Sequence, residues 1–241
     1  VALAAAQRAP QQVAALLAAM PQQHQRALGP WQAELAEWPA LWMPMIETAD
    51  IVAKRYKVAR DYQDEYSLEC QRRTAAAQQG GKFNDEIVPM KVMMAVKNKD
   101  TGEVTMKETT VDRDDCNRPE TTAQGLAALQ PVRGPEHFIT AGNASPFTDG
   151  AAALYVISPA LESQVKPDAA LMDFEFVAME PRDGLLMGPG KAMLRLMQRH
   201  DLHWDDLDYI EMHEAFAGQV LCNVDAINHP DYRLNLYGIN Y

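Results

Sequence analysis

The chain's 241 residues suffice for one large or two small domains with buried cores, and 33 acidic against 22 basic residues leave a net charge of -11 with no Lys/Arg block. That balance argues against a polyphosphate-binding or anionic-membrane surface, so neither nucleic acid nor membrane insertion is expected, and no apolar run is long enough to span a bilayer. Three cysteines, Cys70, Cys116 and Cys222, are odd in number and lack metal-type spacing; a disulfide scaffold or zinc site is not expected, no metal is assigned, and a reducing, cytoplasmic location is.

Residues 1 to 42 are rich in Ala and Gln, and their formal charges cancel, Arg8 and Arg26 against Glu34 and Glu37. QQVAALLAAM sets Val13, Leu16, Leu17 and Met20 at helical spacing, and Pro21 then opens a second helix over QQHQRALGPWQAELAEW. His24, flanked by Gln on both sides, reads as part of a solvated face.

From Met43 the texture changes. IETADIVAKRY predicts an amphipathic helix with Ile46, Ile51 and Val52 inward. RDYQDEYSLECQRRTAAAQQGG predicts a longer one, with Tyr62, Tyr66 and Cys70 in steps of four, Cys70 as packing, and Gly80 as the stop. Two strands follow around Asp100-Thr101-Gly102, with Pro89 keeping the first at an edge or a strand start.

Further on, strand and helix signals alternate. FITAG, AAALYVIS, ALMDFEFVAM and YIEM read as strands, KAMLRLMQRHDL as a helix, and AFAGQVLCNVDAI as a helix with Phe216, Val220, Val224 and Ile227 on one side. This predicts an α/β layered fold with His213 at the carboxyl end of a strand, where open sheets bind ligands.

Three stretches carry possible chemistry. AGNASPFTDGAAA combines Gly142 and Gly150 with Asn143, Ser145, Thr148 and Asp149, a small-residue loop that a ligand can approach closely and that an ordinary loop explains equally well. MGPGKAM places Gly188 and Gly190 before a helix, an anion-attracting position without the spacing of a phosphate loop. HEAF sets His213 beside Glu214, a pair suited to proton transfer or to donating toward an oxygen that gains charge; without a second histidine four positions on, it is not a zinc motif.

In order, ETADIVAKRYKVARDYQDEYSLECQRRTAAAQQGGKFNDEIVP, TTAQGLAALQPV, TAGNASPFTDGAAALYVIS, MGPGKAM and DLDYIEMHEAFAGQ resemble the thiolases, acyl-CoA acyltransferases that cleave or form 3-ketoacyl-CoA. The resemblance implies a partial layered fold (αβαβα), with residues 43–141 as a loop domain over the coenzyme and 142–241 as part of the core. It implies that His213 stabilises the thioester or ketone oxygen, with Glu214 as its motif neighbour. Ser145, Ala215 and Phe216 would line the pantetheine channel, Arg118 would sit near the nucleotide end of coenzyme A, and Met187 would border the acyl pocket. Coenzyme A is then a co-substrate, with no bound cofactor. The HEAF form is similar to the branch acting on longer acyl chains, which includes the β-subunit of fatty-acid oxidation complexes, and a homo-oligomer or such a complex is implied.

The sequence also departs from that family. Its covalent chemistry needs a nucleophilic cysteine, a GHP histidine and a second cysteine, and none of the 241 residues lies in a matching motif, so this chain is expected to be inactive by itself. Cys70, Cys116 and Cys222 each read as buried inert thiols, and His229 of NHP comes too soon after HEAF. QRAPQQVAALLAAMPQQHQRALGPWQAELAEWPAL resembles a helical piece of 3-carboxy-cis,cis-muconate cycloisomerase without its serine loop. A short helical segment of different origin is therefore expected before the seam near Trp42, from a fusion, a rearranged frame or omitted stretches.

Overall fold

Among the described residues the first long helix is α1 (Met45–Arg55), with Glu47 in its first turn and Lys54 and Arg55 in its last, charges that oppose the helix dipole. The structure, a computed structural model, describes residues 37, 38, 40, 43–148 and 152–232. The two opening helices, His24 and the pair Asp149 and Gly150 lie outside them. Lys57, at φ 57°, turns the chain out of α1, and the Val58 amide closes the end by donating to Ala53 O at 2.9 Å. The buried face of α1 is Thr48, Ala49, Asp50, Val52 and Ala53. Val52 is inward as expected, whereas Ile46 and Ile51 are only half-buried, because small residues form the contact face and let the facing helix come close.

The second helix, α2 (Arg60–Gln79), ends at Gly80, but the left-handed residue is Gly81, at φ 69°. Its buried residues are Gln63, Asp64, Ser67 and Ala75, a largely polar face. Tyr62 is exposed and Tyr66 and Cys70 are half-buried, so the aromatic spacing does not mark the inner side. Internal hydrogen bonds make the polar face tolerable: Gln63 Nε2 donates to Val58 O at 3.0 Å, and Ser67 Oγ to Gln63 O at 2.9 Å.

An antiparallel ribbon follows, β1 (Met90–Lys97) and β2 (Val104–Val111), in register from Met90 opposite Val111 to Lys97 opposite Val104. Pro89 precedes the first paired residue, as expected of a residue with no amide proton to give. The connecting turn is organised by Asn98, whose Oδ1 accepts from the amides of Asp100 and Thr101, and Gly102 takes φ 74°. Nearly every residue of the ribbon is exposed on both faces.

Four expected strands are not hydrogen-bonded as strands. Among the described residues FITAG, AAALYVIS, ALMDFEFVAM and YIEM contribute no ladder, and β1 and β2 form the one sheet. Leu154, Tyr155 and Val156 are 92%, 100% and 86% exposed, and Phe176 is 87% exposed. An apolar run records a preference for burial, but a strand exists only where a neighbour accepts and donates, and no neighbour lies among the described residues.

The core instead gathers between helices. After the short α3 (Ala123–Ala127), capped by Thr122 Oγ1 accepting from Gly125 N, come α4 (Pro181–Gly184), α5 (Gly188–Arg199), α6 (Ala217–Asn228) and α7 (Pro230–Tyr232). Val52, Val58, Met187, Leu194, Leu221, Cys222, Ala226 and Ile227 form one buried cluster across α1, α5 and α6, each large aliphatic side chain contributing about 1.5–3 kcal/mol through burial. On α6, Val220 and Ile227 are buried as predicted but Val224 is 41% exposed, its expected place inward being filled by Asn223. Asn223 is fully buried: its Nδ2 donates to Leu186 O and Gln219 O, each at 2.8 Å, and its Oδ1 accepts from Gly190 N at 2.9 Å. Gly188 and Gly190 therefore lie inside the first turn of α5, and the Gly190 amide is already taken, which removes the anion-site reading of MGPGKAM.

Where α2 crosses α6, Gly218 supplies the clearance. A Cβ there would stand 2.8 Å from Gln63 Oε1 and 2.9 Å from Gln63 Cδ. No helix among the described residues is long and apolar enough to cross a membrane. Asn223→Ala leaves three buried backbone groups without their side-chain partner and is expected to destabilise the protein by about 2–4 kcal/mol, read as a lower denaturant midpoint with an unchanged slope.

Candidate functional site

Asn143 ties the TAGNAS segment to α2 and to the start of α6. Its Nδ2 donates to Asp64 Oδ1 and to Phe138 O, both at 3.1 Å, its Oδ1 accepts from Thr140 N at 2.8 Å, and its carbonyl accepts from Ala217 N at 3.0 Å. Asp64 is itself paired with Arg60, Nε to Oδ2 at 2.8 Å, and Arg60 also donates to Leu126 O and Leu129 O. Gly142 fits beneath α3 for want of a side chain: a Cβ would lie 2.5 Å from Leu126 Cδ2 and 2.7 Å from Leu129 Cδ1.

Asp50 of α1 holds the approach to this segment. Its Oδ1 accepts from the amides of Phe138 and Ile139 at 2.9 and 3.2 Å, while Arg133 and His137 face Oδ2 at 3.7 and 3.3 Å. The carboxylate thus fixes where the chain enters TAGNAS.

Beyond Asn143 the Ser145 amide donates to Ala215 O at 2.8 Å, and Ala144 and Phe216 form an isolated antiparallel bridge. These contacts close a cleft of about 270 Å³ between α2, the 142–146 turn and the HEAF segment. Tyr66 and Cys70 form one wall, Cys116 and Asn117 another, and Ser145 and Glu214 line it as well. Segments far apart in sequence converge here.

The site residues expected from sequence are placed unevenly. Ser145 and Glu214 line the cleft, and Ala215 and Phe216 are half-buried against the Ala144–Ser145 backbone. His213 is exposed on the unpaired segment leading to Glu214, at the end of no strand ladder, and is not part of the lining. Arg118 is exposed next to the lining residue Asn117, its amide held by Gln71 Oε1 at 2.7 Å. Met187 stands apart, fully buried in the core cluster, and the structure does not bring it to Ser145.

Tyr66, Cys70 and Asn117 are cleft residues that sequence reasoning missed. The four-residue spacing of Tyr66 and Cys70 was visible, but their partner Glu214 is 148 and 144 positions away. Tyr66 donates to Glu214 Oε1, and Cys70 Sγ lies 3.8 Å from Oε2. Burial first, and then the Glu214 hydrogen bond, hold the Tyr66 phenol well above its usual ionisation range. Burial first, and then the charge of Glu214, also raise Cys70, keeping it a thiol at neutral pH.

The uniform reading of the cysteines as buried needs correction. Only Cys222 is buried, and that burial, with Asp225 nearby, pushes its thiol to about 12. Cys116 is exposed and Cys70 half-buried, both on the cleft, because their segments form its walls and not the core.

Comparison with known proteins decides the family. Residues 37–160 match the thiolase N-terminal domain and residues 165–240 the thiolase C-terminal domain. The chain belongs to the thiolase family. It is 41% identical to the beta-ketoadipyl-CoA thiolase of Pseudomonas aeruginosa over 74% of this chain and 42% of that protein. It is 37% identical to the mitochondrial trifunctional enzyme subunit beta of Mus musculus over 80% of this chain and 38% of that protein. Among solved structures, the Bacillus anthracis acetyl-CoA acetyltransferase superposes with a TM-score of 0.65 at 29% identity, covering 79% of this chain and 45% of the other. Human mitochondrial 3-ketoacyl-CoA thiolase in complex with CoA gives 0.63 at 29% identity, over 78% and 44%. These likenesses establish an α/β thiolase-like fold for the chain, which spans less than half the length of the curated relatives it matches.

In native protein, iodoacetamide at pH 8 is expected to label exposed Cys116 fastest, Cys70 more slowly, and Cys222 only after unfolding; peptide mass spectrometry against time reads the order.

Proposed function

We propose that this chain supplies the coenzyme-facing wall of a thiolase-type acyltransferase, the reaction being 3-ketoacyl-CoA plus coenzyme A to acyl-CoA plus acetyl-CoA. The cleft carries the reading, since it joins the TAGNAS, HEAF and Cys116–Asn117 stretches around Ser145 and Glu214. In this reading His213 donates toward the thioester or ketone oxygen as charge develops there, and Glu214 sets the segment that bears it. Ser145, Ala215 and Phe216 face the pantetheine arm, and Arg118, exposed beside the cleft, meets the phosphates of the nucleotide end. Met187 bordering the acyl pocket rests on the sequence resemblance, not on its place in the core.

Neither Cys70 nor Cys222 is set up as a nucleophile, and exposed Cys116 lies in no motif of the family's nucleophile. Cys222 is buried and pushed up to about 12, Cys70 faces a carboxylate that raises it, and no GHP histidine occurs in the sequence. The chain by itself is therefore proposed to be inactive, and its raised thiols favour a second reading as a non-catalytic coenzyme A-binding or structural element. Its division into a loop domain over residues 43–141 and core residues from 142 to 241 belongs to the same proposal. So does the separate origin of residues 1 to 42 from a cycloisomerase-like helical piece, which predicts no activity toward carboxymuconate. The mouse relative's standing as a subunit supports assembly into a larger complex; a fatty-acid oxidation complex or a homo-oligomer, and a cytoplasmic place, rest on the sequence reading.

Calorimetry with coenzyme A is expected to detect binding that weakens about three- to tenfold in Arg118→Ala and is lost in Ser145→Trp, which fills the cleft. Thiolysis of acetoacetyl-CoA by the chain alone is expected to be undetectable. Turnover by the chain alone that is abolished by changing Cys222 would show the chemistry to be elsewhere than proposed.

A further inference from the structure

Glu214 is exposed, yet each of its carboxylate oxygens is engaged by a side chain of α2. The Tyr66 hydroxyl donates to Oε1, and the Cys70 thiol is directed at Oε2, its sulfur 3.8 Å away. Tyr66 and Cys70 are four positions apart, so one helix face presents them together. A single hydrogen bond leaves a carboxylate free to rotate about its donor, whereas two donors fixed on a rigid helix set both its place and its orientation.

The backbone beside this contact is held in only a few places. Ser145 N donates to Ala215 O and Ala217 N to Asn143 O, with the Ala144–Phe216 bridge between them, and the segment before Glu214 has no ladder. Glu214 is thus the point at which an unpaired stretch becomes ordered backbone.

We propose that Tyr66 and Cys70 are positioning residues that clamp Glu214 from α2 and thereby fix the His213–Phe216 segment at the edge of the cleft. The clamp stands on geometry; its value for coenzyme binding rests on the thiolase-type reading. Burial and the facing carboxylate keep both donors protonated at neutral pH, the state the clamp requires. Cys70 is on this account a hydrogen-bond donor and not a nucleophile. A serine, which also donates, replaces it.

The test is amide hydrogen exchange on the full chain, read at Ser145 and Ala217, with Leu194 in the core of α5 as reference. Tyr66→Phe and Glu214→Ala are expected to speed exchange at Ser145 and Ala217 by about threefold or more with Leu194 unchanged, while Cys70→Ser stays near the parent. Coenzyme A affinity, measured by calorimetry on the same proteins, is expected to fall in the same order. Unchanged exchange at Ser145 and Ala217 in both variants overturns the clamp, as does a uniform rise that includes Leu194. Faster local exchange in a chain whose parent binds no coenzyme A upholds the clamp and overturns the thiolase-type reading. Parent binding with unaltered exchange in the variants overturns the clamp alone.

Discussion

The hydrogen bond from Asn143 to Asp64 is the constraint on which the rest of the site depends. Both groups are buried, Asn143 at 2% and Asp64 at 7% exposure, so neither can fall back on water. Asp64 brings in Arg60, which reaches two carbonyls around α3; Asn143 brings in the turn before it and the first amide of α6. A helix, a loop and a helix start thus meet at one polar node. Removing Asn143 would leave the Asp64 carboxylate and the neighbouring amide and carbonyl short of a partner, a penalty of about 1–3 kcal/mol for an unsatisfied buried group.

This node explains why α2 buries its polar side. An apolar face would pack α2 onto the core but could not specify which loop lies against it, since apolar contacts are non-directional. Asp64 accepts only a partner of matching hydrogen-bond geometry and so selects one placement of TAGNAS, while Gln63 and Ser67 bond within their own stretch of chain. The face of α2 one residue pair further round, bearing Tyr66 and Cys70, is then left to look into the cleft. Structure and candidate site share one helix, with the directional contacts on one side and the ligand-sized space on the next.

The sequence was legible where local chemistry decides and opaque where distant partners do. The extents of α1, α2 and α6 follow from helical periodicity and from Gly80, and Pro89 and Gly102 mark the start and the turn of the ribbon. Their inner faces were harder to see. Val224 points outward and Asn223 inward because Asn223 finds Gly190 and Leu186, partners 33 and 37 residues away that no spacing reveals. The four apolar runs expected as strands show the same limit, since a run of Leu, Tyr and Val names no neighbour to pair with. At the site, Ser145 and Glu214 were found through their motifs, while Tyr66 showed only as a helical spacing and Cys70 was taken for packing because their carboxylate partner comes from far along the chain. Asn117 carried no signal of its own.

The β1–β2 ribbon has an implication for handling the molecule. A two-stranded hairpin solvated on both sides is marginal in water, and this one contributes no residue to the buried cluster, so its opening is uncoupled from that of the helices. Its tip at Thr101–Gly102, where a side chain added to the glycine would meet open space, is accordingly the natural splice point for a fluorophore or an affinity tag. Such a graft would report on the rest of the protein without perturbing it.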